Sequence, residues 1–370
     1  MNDLAGIIWA HRSDVNLGDL TRPRNTCSIP FGGQYRLVDF MLSNYINAGI
    51  DNVGMIVHES YQSLLDHVGN GKEWDLSRKQ GGLRILPPFG NVRSGGGAYR
   101  GSIDALSSAL GYLQNIRQEH VIVAWGDIAA NLDVSAIFKQ HLDTSADITI
   151  VATPVTPQAK TKNYITLDEN GQVIDFEPYC VDPENRLRSL QVYVLSKKLL
   201  LEIIEYCTSH NQYSFSLDGV LPRLHSLKVM PYLHKGFSTH LHSVINYFKY
   251  SMDLLDPAVR ADLFNPDRPI ATKDQTNAST YHSPTGSSSN CLLADGCHIS
   301  GTLTNCILSR GVIVEEGATV SNSILMQGTI IKAGAKISHV ITDKNVEVTA
   351  NRKLMGHSTC PLVIEKNSIV

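Results

Sequence analysis

The sequence predicts an open α/β sheet domain followed by a left-handed parallel β-helix. Three observations carry that prediction. Apolar strand-like runs alternate with helical stripes from the N-terminus to about residue 255. One run, His120 to Trp125 (HVIVAW), is almost continuously apolar, as a strand covered by helices on both faces must be. Near the C-terminus RGVIVEEGATVSNSIL (Arg310 to Leu325) lines up with QGTIIKAGAKISHVIT (Gln327 to Thr342).

Ile7 to Ala10 reads as the first strand, a polar loop HRSDVNLGD follows, and Val38 to Ala48 reads as a helix burying Phe40, Leu42, Ile46 and Ala48. Strand, loop and helix at this place are where α/β nucleotide-binding proteins cradle phosphate. Such a cradle needs glycines, so that backbone N–H groups converge on an oxyanion without Cβ atoms in the way. Gly18 is the loop's one glycine and comes late, and Asp14 brings negative charge. Arg22, Arg24 and Arg36 supply positive charge nearby.

Asn52 to Val57 is a second strand and Ser60 to His67 a short helix. Residues 70 to 98, rich in Gly and Pro, read as mostly irregular, either a deformable flap over a site or a mobile Ser-Gly stretch. Ile103 to Ile116 is a helix with Ala105, Leu106, Ala109, Leu110 and Leu113 on one stripe and Ser102 as its candidate cap. The HVIVAW strand ends in Gly126-Asp127, where a carboxylate can hold a divalent ion over a phosphate; the alternative is an Asx cap on the next turn.

Asp133 to His141 is a helix and Asp147 to Ala152 a strand. Tyr164 to Leu167 and Val173 to Phe176 form a hairpin around Asp168-Glu169-Asn170-Gly171. Leu190 to Leu195 and Leu227 to Leu233 are strands; Lys197 to Tyr206, Phe215 to Leu224 and Leu241 to Leu255 are helices. These elements make a mostly parallel sheet with helices on both faces over residues 1–255. Residues 256–290, with Pro257, Pro266, Pro269 and Pro284, read as a linker without periodicity. Residues 291–370 are the β-helix, an assembly module: glycines about six apart separate isolated aliphatics, and Thr302 to Leu308 is an earlier, less regular copy.

Composition narrows the function. Of 370 residues 42% are apolar and 18% charged, the net charge is -3, and no basic block exists, which speaks against nucleic acid. No apolar run approaches membrane-spanning length and the N-terminus lacks a signal-peptide pattern, so a cytoplasmic protein without a membrane partner is expected. The seven cysteines, Cys27, Cys180, Cys207, Cys291, Cys297, Cys306 and Cys360, are odd in number and irregularly spaced, unlike a disulfide framework. Cys291, Cys297 and His298 suggest a metal site less well than they suggest alternating exposure along a β-solenoid.

FGGQYRLVDFMLSN (Phe31 to Asn44), YRGSIDAL (Tyr99 to Leu106), WGD (Trp125 to Asp127), YFKYSMDLL (Tyr247 to Leu255) and the β-helix together resemble the glucose-1-phosphate adenylyltransferases (ADP-glucose pyrophosphorylases) of bacterial glycogen synthesis, most of all their non-catalytic partner subunit. The resemblance implies a nucleotidyltransferase-like fold. The family reaction joins ATP and glucose 1-phosphate into ADP-glucose and pyrophosphate, with Mg²⁺ held by two aspartates. The family's GGRGTRL loop falls on His11, Arg12, Ser13, Asp14, Val15, Asn16 and Leu17, which keep none of the three glycines. Asn16 replaces the loop's arginine, and Thr26-Cys27 stands where the family has a lysine-proline pair.

Asp127 keeps the first metal aspartate and His240 takes the place of the second. Asp175 to Tyr179 lacks the sugar-phosphate lysine, with Glu177 a remnant of the Glu-Lys pair. What remains of a substrate pocket is Tyr99, Arg100, Asp104 and Asp127, with His58 and Glu59 beyond the second strand. The expectation is therefore a catalytically impaired regulatory subunit that pairs with an active sister chain in a mixed tetramer, or forms a homo-oligomer alone. It should turn over little or nothing by itself and bind Mg²⁺ and ATP weakly or not at all. The alternatives are an active transferase with a divergent loop and a non-catalytic sugar-phosphate or nucleotide sensor. The resemblance also implies an effector site in a basic patch near the domain junction, with Arg223, Lys228, Lys249 and Arg310 as candidates.

Overall fold

The computed structural model describes residues 3–10, 15, 17–88, 99–155, 163–177 and 186–370. Among the described residues nine strands form the main sheet: β1 (Leu4–Trp9), β2 (Asn52–Ile56), β3 (Gly82–Leu86), β4 (His120–Trp125), β5 (Ile148–Pro154), β6 (Tyr164–Leu167), β7 (Val173–Glu177), β8 (Leu187–Ser196) and β9 (Val229–Leu233). The order is β9-β5-β8-β4-β1-β2-β3, and β6 pairs with both β8 and β7. Neighbours from β4 to β3 run parallel, while β8 lies antiparallel to β4 and β5.

Helices α1 (Leu37–Asn47), α2 (Gln62–Val68), α3 (Ser102–Ser108), α4 (Leu110–Asn115), α5 (Val134–Asp143) and α6 (Lys197–Ser209) cover the sheet. Strand β1 shows why both faces must be apolar. Ala5, Ile7 and Trp9 pack with Leu106, Leu113 and Ile203 on one side, and Leu4, Ile8 and Ala10 with Val38, Met41 and Tyr45 on the other. Gly6 is required there: a Cβ would lie 2.5 Å from the Tyr45 ring. None of the helices among the described residues is long and apolar enough to cross a membrane.

Four expectations are sharpened or corrected. Residues 70–88 are mostly irregular but not a plain loop, since they hold a 3₁₀ turn, Lys72–Trp74, and the parallel edge strand β3; the glycine run 95–97 lies outside the described residues. The single helix over 103–116 breaks at Ala109, where Ser108 Oγ donates to Ala105 O (2.7 Å) and competes with the helix ladder. Gly101, not Ser102, occupies the cap position; Ser102 Oγ instead accepts from Phe215 N (2.8 Å). The segment 256–290 holds helix α8 (Pro257–Leu263), which follows α7 (Val244–Asp253), and the first β-helix strands, Tyr281–His282 and Ser287–Ser289. Asp256 caps α8 and Pro257 opens it, a helix start hidden among loop-forming residues. Phe215–Val220 is a π-helical turn followed by a 3₁₀ turn, Leu221–Arg223.

In the C-terminal domain the paired positions run through the coils as Leu303, Val320, Ile337 and Leu354, and as Ile299, Val314, Ile331 and Val348. Gly311, Gly317, Gly328 and Gly334 take left-handed corners, φ 68 to 73°. A third corner uses asparagine. Asn290, Asn305 and Asn322 share φ between 44 and 51°, and Asn290 Nδ2 donates to Asn305 Oδ1 (2.8 Å). Cys297 is buried, His298 exposed and Cys291 half-buried, so this stretch divides its side chains between inside and outside.

The coils dock on the sheet domain through Phe31, Phe40, Tyr247, Ile324, Met326 and Ile341. Within that seam Arg24 Nη2 meets Asp343 Oδ1 at 2.8 Å, the two side chains 2% and 1% exposed.

Candidate functional site

The carboxyl ends of β1, β2 and β4 lie side by side and open on one cavity of ≈ 300 Å³, where parallel sheets place ligands. Its walls are aromatic. Trp9 and Trp125, at the ends of β1 and β4, have ring centroids 5.0 Å apart, and Phe215 packs edge-on to Trp9 at 5.8 Å. Tyr99, Arg100, Gln191 and Tyr213 complete the lining that matters here.

Arg100 is the one cation among the described residues of that lining, and its charge is already answered. Its Nε donates to Asp104 Oδ2 (2.8 Å), its Nη2 to Asp104 Oδ1 (3.1 Å) and its Nη1 to Tyr213 OH (2.7 Å). The guanidinium also lies 4.0 Å over the Tyr213 ring. Tyr99 is held from below: its N–H donates to His58 Nε2 (3.3 Å), its hydroxyl bonds Ser108 Oγ (2.8 Å), and burial raises its pKa. His58 is buried, so it supports Tyr99 and does not face the cavity.

Two lining residues escape sequence reasoning. Gln191 sits where β8 slips register between Ser189 and Val192, with φ 55°. The bulge turns its side chain into the cavity, and a left-handed non-glycine there stores about 1–3 kcal/mol of strain. LQVYVL reads as a regular strand, so nothing in the pattern announces the bulge. The buried Trp9 Nε1–H has no hydrogen-bond partner among the described residues. Its indole looked like a core residue, because only the third dimension shows where the strand stops.

His11, Arg12, Asp14 and Asn16 lie outside the described residues. The base of their loop is tied down by Asn25 Nδ2 donating to Ala10 O (2.9 Å) and by buried Val15 and Leu17. Thr26 opens a buried 3₁₀ turn, Thr26–Ser28, capped by Asn25. The Thr26 hydroxyl has no partner among the described residues, so the lysine position of the resemblance holds a buried neutral group.

Asp127 is 2% exposed just past β4. His240 comes beside that turn because Thr239 N donates to Ala129 O (3.0 Å), Ala129 N donates to Thr239 Oγ1 (2.8 Å), and Ala130 bridges Ser238. His240 and His242 stack edge-on at 4.0 Å. The turn after β4 thus offers one carboxylate, and its cross-strand neighbour offers imidazoles, a poor match for Mg²⁺, which takes oxygen ligands in near-octahedral geometry. Among the described residues no three His, Cys, Asp or Glu side chains group as a metal site. Glu177 pairs with Arg186 at the end of β7 and is not part of the cavity lining; Glu59 is exposed, 4.0 Å from His58.

Residues 13–236 match the family described as nucleotidyl transferase, and residues 276–358 match the GlmU-like C-terminal hexapeptide family. The glycogen biosynthesis protein GlgD of Bacillus subtilis (strain 168) is 33% identical over 100% of this chain and 97% of its own length. The chain belongs to the glucose-1-phosphate adenylyltransferase family. Within that family, a glucose-1-phosphate adenylyltransferase of Geobacillus stearothermophilus is 32% identical over 79% of this chain and 76% of its own. A GlgD protein of the same organism is 32% identical over 86% of this chain and 82% of its own.

A second cluster sits at the domain junction. Arg36, His67, Arg310 and Lys344 line a small cleft there. Burial first, then the neighbouring Arg36 and Arg24, push the Lys344 ammonium down to about 7, and burial lowers Arg36 to about 10. Of the four effector candidates Arg310 alone belongs to this cleft. Arg223 lies 4.6 Å over Tyr206 and donates to Gly219 O, Lys228 donates to Thr144 O, and Lys249 is on α7.

Proposed function

We propose that this chain is a catalytically impaired regulatory subunit of a glucose-1-phosphate adenylyltransferase, acting in glycogen biosynthesis on an active sister chain. The observation that carries the reading is the pairing of Ala129 and Ala130 with Ser238 and Thr239. It brings an imidazole, His240, to the turn that carries Asp127, and it is at His240 that the resemblance puts the family's second carboxylate. A buried hydroxyl at Thr26 and a fully paired Arg100 support it, since neither answers the charge of a polyphosphate. Losing one oxyanion partner costs about 3 kcal/mol, roughly a hundredfold in rate, so several losses leave little turnover. Mg²⁺ and ATP are then bound weakly or not at all. The open coil ends suit a mixed tetramer, and the junction cleft, with Lys344 and Arg310, suits an anionic effector.

The test is pyrophosphate release from ATP and glucose 1-phosphate, by this chain alone, by the sister chain alone and by the two together. The reading expects background alone and altered kinetics of the sister chain on mixing. Robust turnover by this chain alone removes it.

The ≈ 300 Å³ cavity favours a second reading, a sensor that binds a sugar phosphate or nucleotide without chemistry. The unpartnered Trp9 Nε1–H and Gln191 offer neutral hydrogen bonds between aromatic walls. Calorimetric titration with ATP and with glucose 1-phosphate, joined to an unaltered sister chain on mixing, would select it.

A further inference from the structure

Two thiols meet on the outer coils of the β-helix. Leu292 pairs with Ile307 and Leu293 with Leu308, while Asn290 Nδ2 donates to Asn305 Oδ1 (2.8 Å). These contacts bracket Cys291 and Cys306 and set them opposite each other in register. Adjacent strands lie about 4.8 Å apart, within the roughly 4.4–6.8 Å that a disulfide spans between Cα atoms. Cys291 is half-buried on the outermost coil and Cys306 is buried directly beneath it.

Each thiol donates along the coils, Cys291 Sγ to Ser289 O (3.2 Å) and Cys306 Sγ to Thr304 O (3.2 Å), and the register sets the two sulfurs side by side. The neighbouring Cys306 side chain, before any other influence, holds the Cys291 thiol below its ordinary pKa, while Cys291 and burial raise that of Cys306. The remaining described cysteines lack this arrangement: Cys27, Cys207 and Cys297 are buried, and Cys360 is exposed.

We propose that Cys291 and Cys306 are a reactive thiol pair that a hydroperoxide closes to a disulfide across the first two coils. The Cys291 thiolate attacks the O–O bond of ROOH, forming Cys291–SOH and releasing RO⁻, which takes up a proton to give ROH. The Cys306 sulfur then attacks the sulfenic sulfur. The S–S bond forms, and hydroxide leaves with the Cys306 proton as water. Two thiols and ROOH thus yield one disulfide, ROH and water, a two-electron oxidation that a thiol reductant reverses. The bond ties the coil whose next residues, Leu292 and Leu293, wall the junction against Gly32, Gly33 and Phe264.

The test is hydrogen peroxide added in graded doses to the reduced full-length chain, followed by peptide mapping without reduction. The expected product is a Cys291–Cys306 cross-link that dithiothreitol reverses. In Cys306→Ser, dimedone should trap Cys291 as the sulfenic acid. Oxidation of Cys360 while Cys291 and Cys306 both remain alkylatable overturns the proposal, as does a Cys291 sulfenic acid that persists uncrosslinked in the unaltered chain. If Cys306→Ser fails to fold, the unaltered chain still decides. Its Cys291 should react with iodoacetamide at pH 7 about tenfold faster than Cys360, and equal rates overturn the proposal.

Discussion

Around the aromatic cavity Arg100, the one cation among the described lining residues, is locked to Asp104, whereas at the domain junction Arg24, Arg36, Arg310 and Lys344 crowd together. Asp343 answers Arg24 there, yet Lys344 is still pushed down to about 7. The two regions draw on similar side chains to opposite ends. The cavity spends its polar groups on holding Tyr99, Arg100 and Tyr213 in place, and offers a ligand flat rings and neutral donors. The junction keeps positive charge under strain, which a bound anion would relieve. The proposed function accordingly looks for an anion at the seam between the domains, not at the sheet's carboxyl ends.

The comparison breaks most sharply at the ion pair that closes the seam. Arg24→Ala leaves Asp343 buried without its partner and should cost about 3–5 kcal/mol of stability, read by urea denaturation. A loss below 1 kcal/mol would mean that the seam tolerates an unpaired charge and that its electrostatics are not special.

Lys344→Met should stabilise the chain by about 2 kcal/mol at pH 6, where the substituted lysine is charged in both states. The sign follows from the depressed folded pKa of a base. Between about 7 and roughly 10.4 the unfolded chain holds more protons, so stability of the unaltered chain rises with pH across that window. The advantage of the variant should accordingly shrink from pH 7 to pH 9. An advantage independent of pH would assign the effect to packing.

Gln191→Gly relaxes the left-handed bulge and should stabilise by about 1 kcal/mol in the same denaturation experiment. Should it destabilise, the side chain contributes more to the cavity than its backbone costs. The smallest effect is expected from His240→Asp, which sets a second carboxylate beside Asp127. Millimolar Mg²⁺ should then raise Tm by about 2 °C, with no such shift in the unaltered chain. A Mg²⁺ shift of equal size in both would show that the ion does not need that position.

Where burial alone specifies an element, the pattern was legible. HVIVAW admits little but a strand covered twice, and the glycine-spaced repeat from Arg310 to Thr342 foretold its own ladders. The edge strand Gly82–Leu86 was not legible, because an edge has only one neighbour and its four strand-like residues, Leu83 to Leu86, sit between Gly81-Gly82 and Pro87-Pro88. The break at Ala109 was hidden because Leu106, Ala109 and Leu113 keep one stripe through it. Of the candidate site, the YRGSIDAL match singled out Tyr99, Arg100 and Asp104 and so the local Arg100–Asp104 pair, whereas the hydrogen bond from Arg100 to Tyr213 comes from more than a hundred residues away in the chain. Trp9 and Gln191 carried no signal, one looking like core and the other like plain strand.

The sequence by itself determined the sheet domain, the coil repeat and a first loop without glycine over residues 11–17, since periodicity and residue type are local properties. Only the tertiary structure decided that His240 stands beside the Asp127 turn, that Arg24 is answered by Asp343, and that Cys291 faces Cys306. Each is a pairing between elements far apart in the chain or on successive coils, and charge, donor geometry and thiol reactivity are settled by which neighbours the fold brings within a few ångströms.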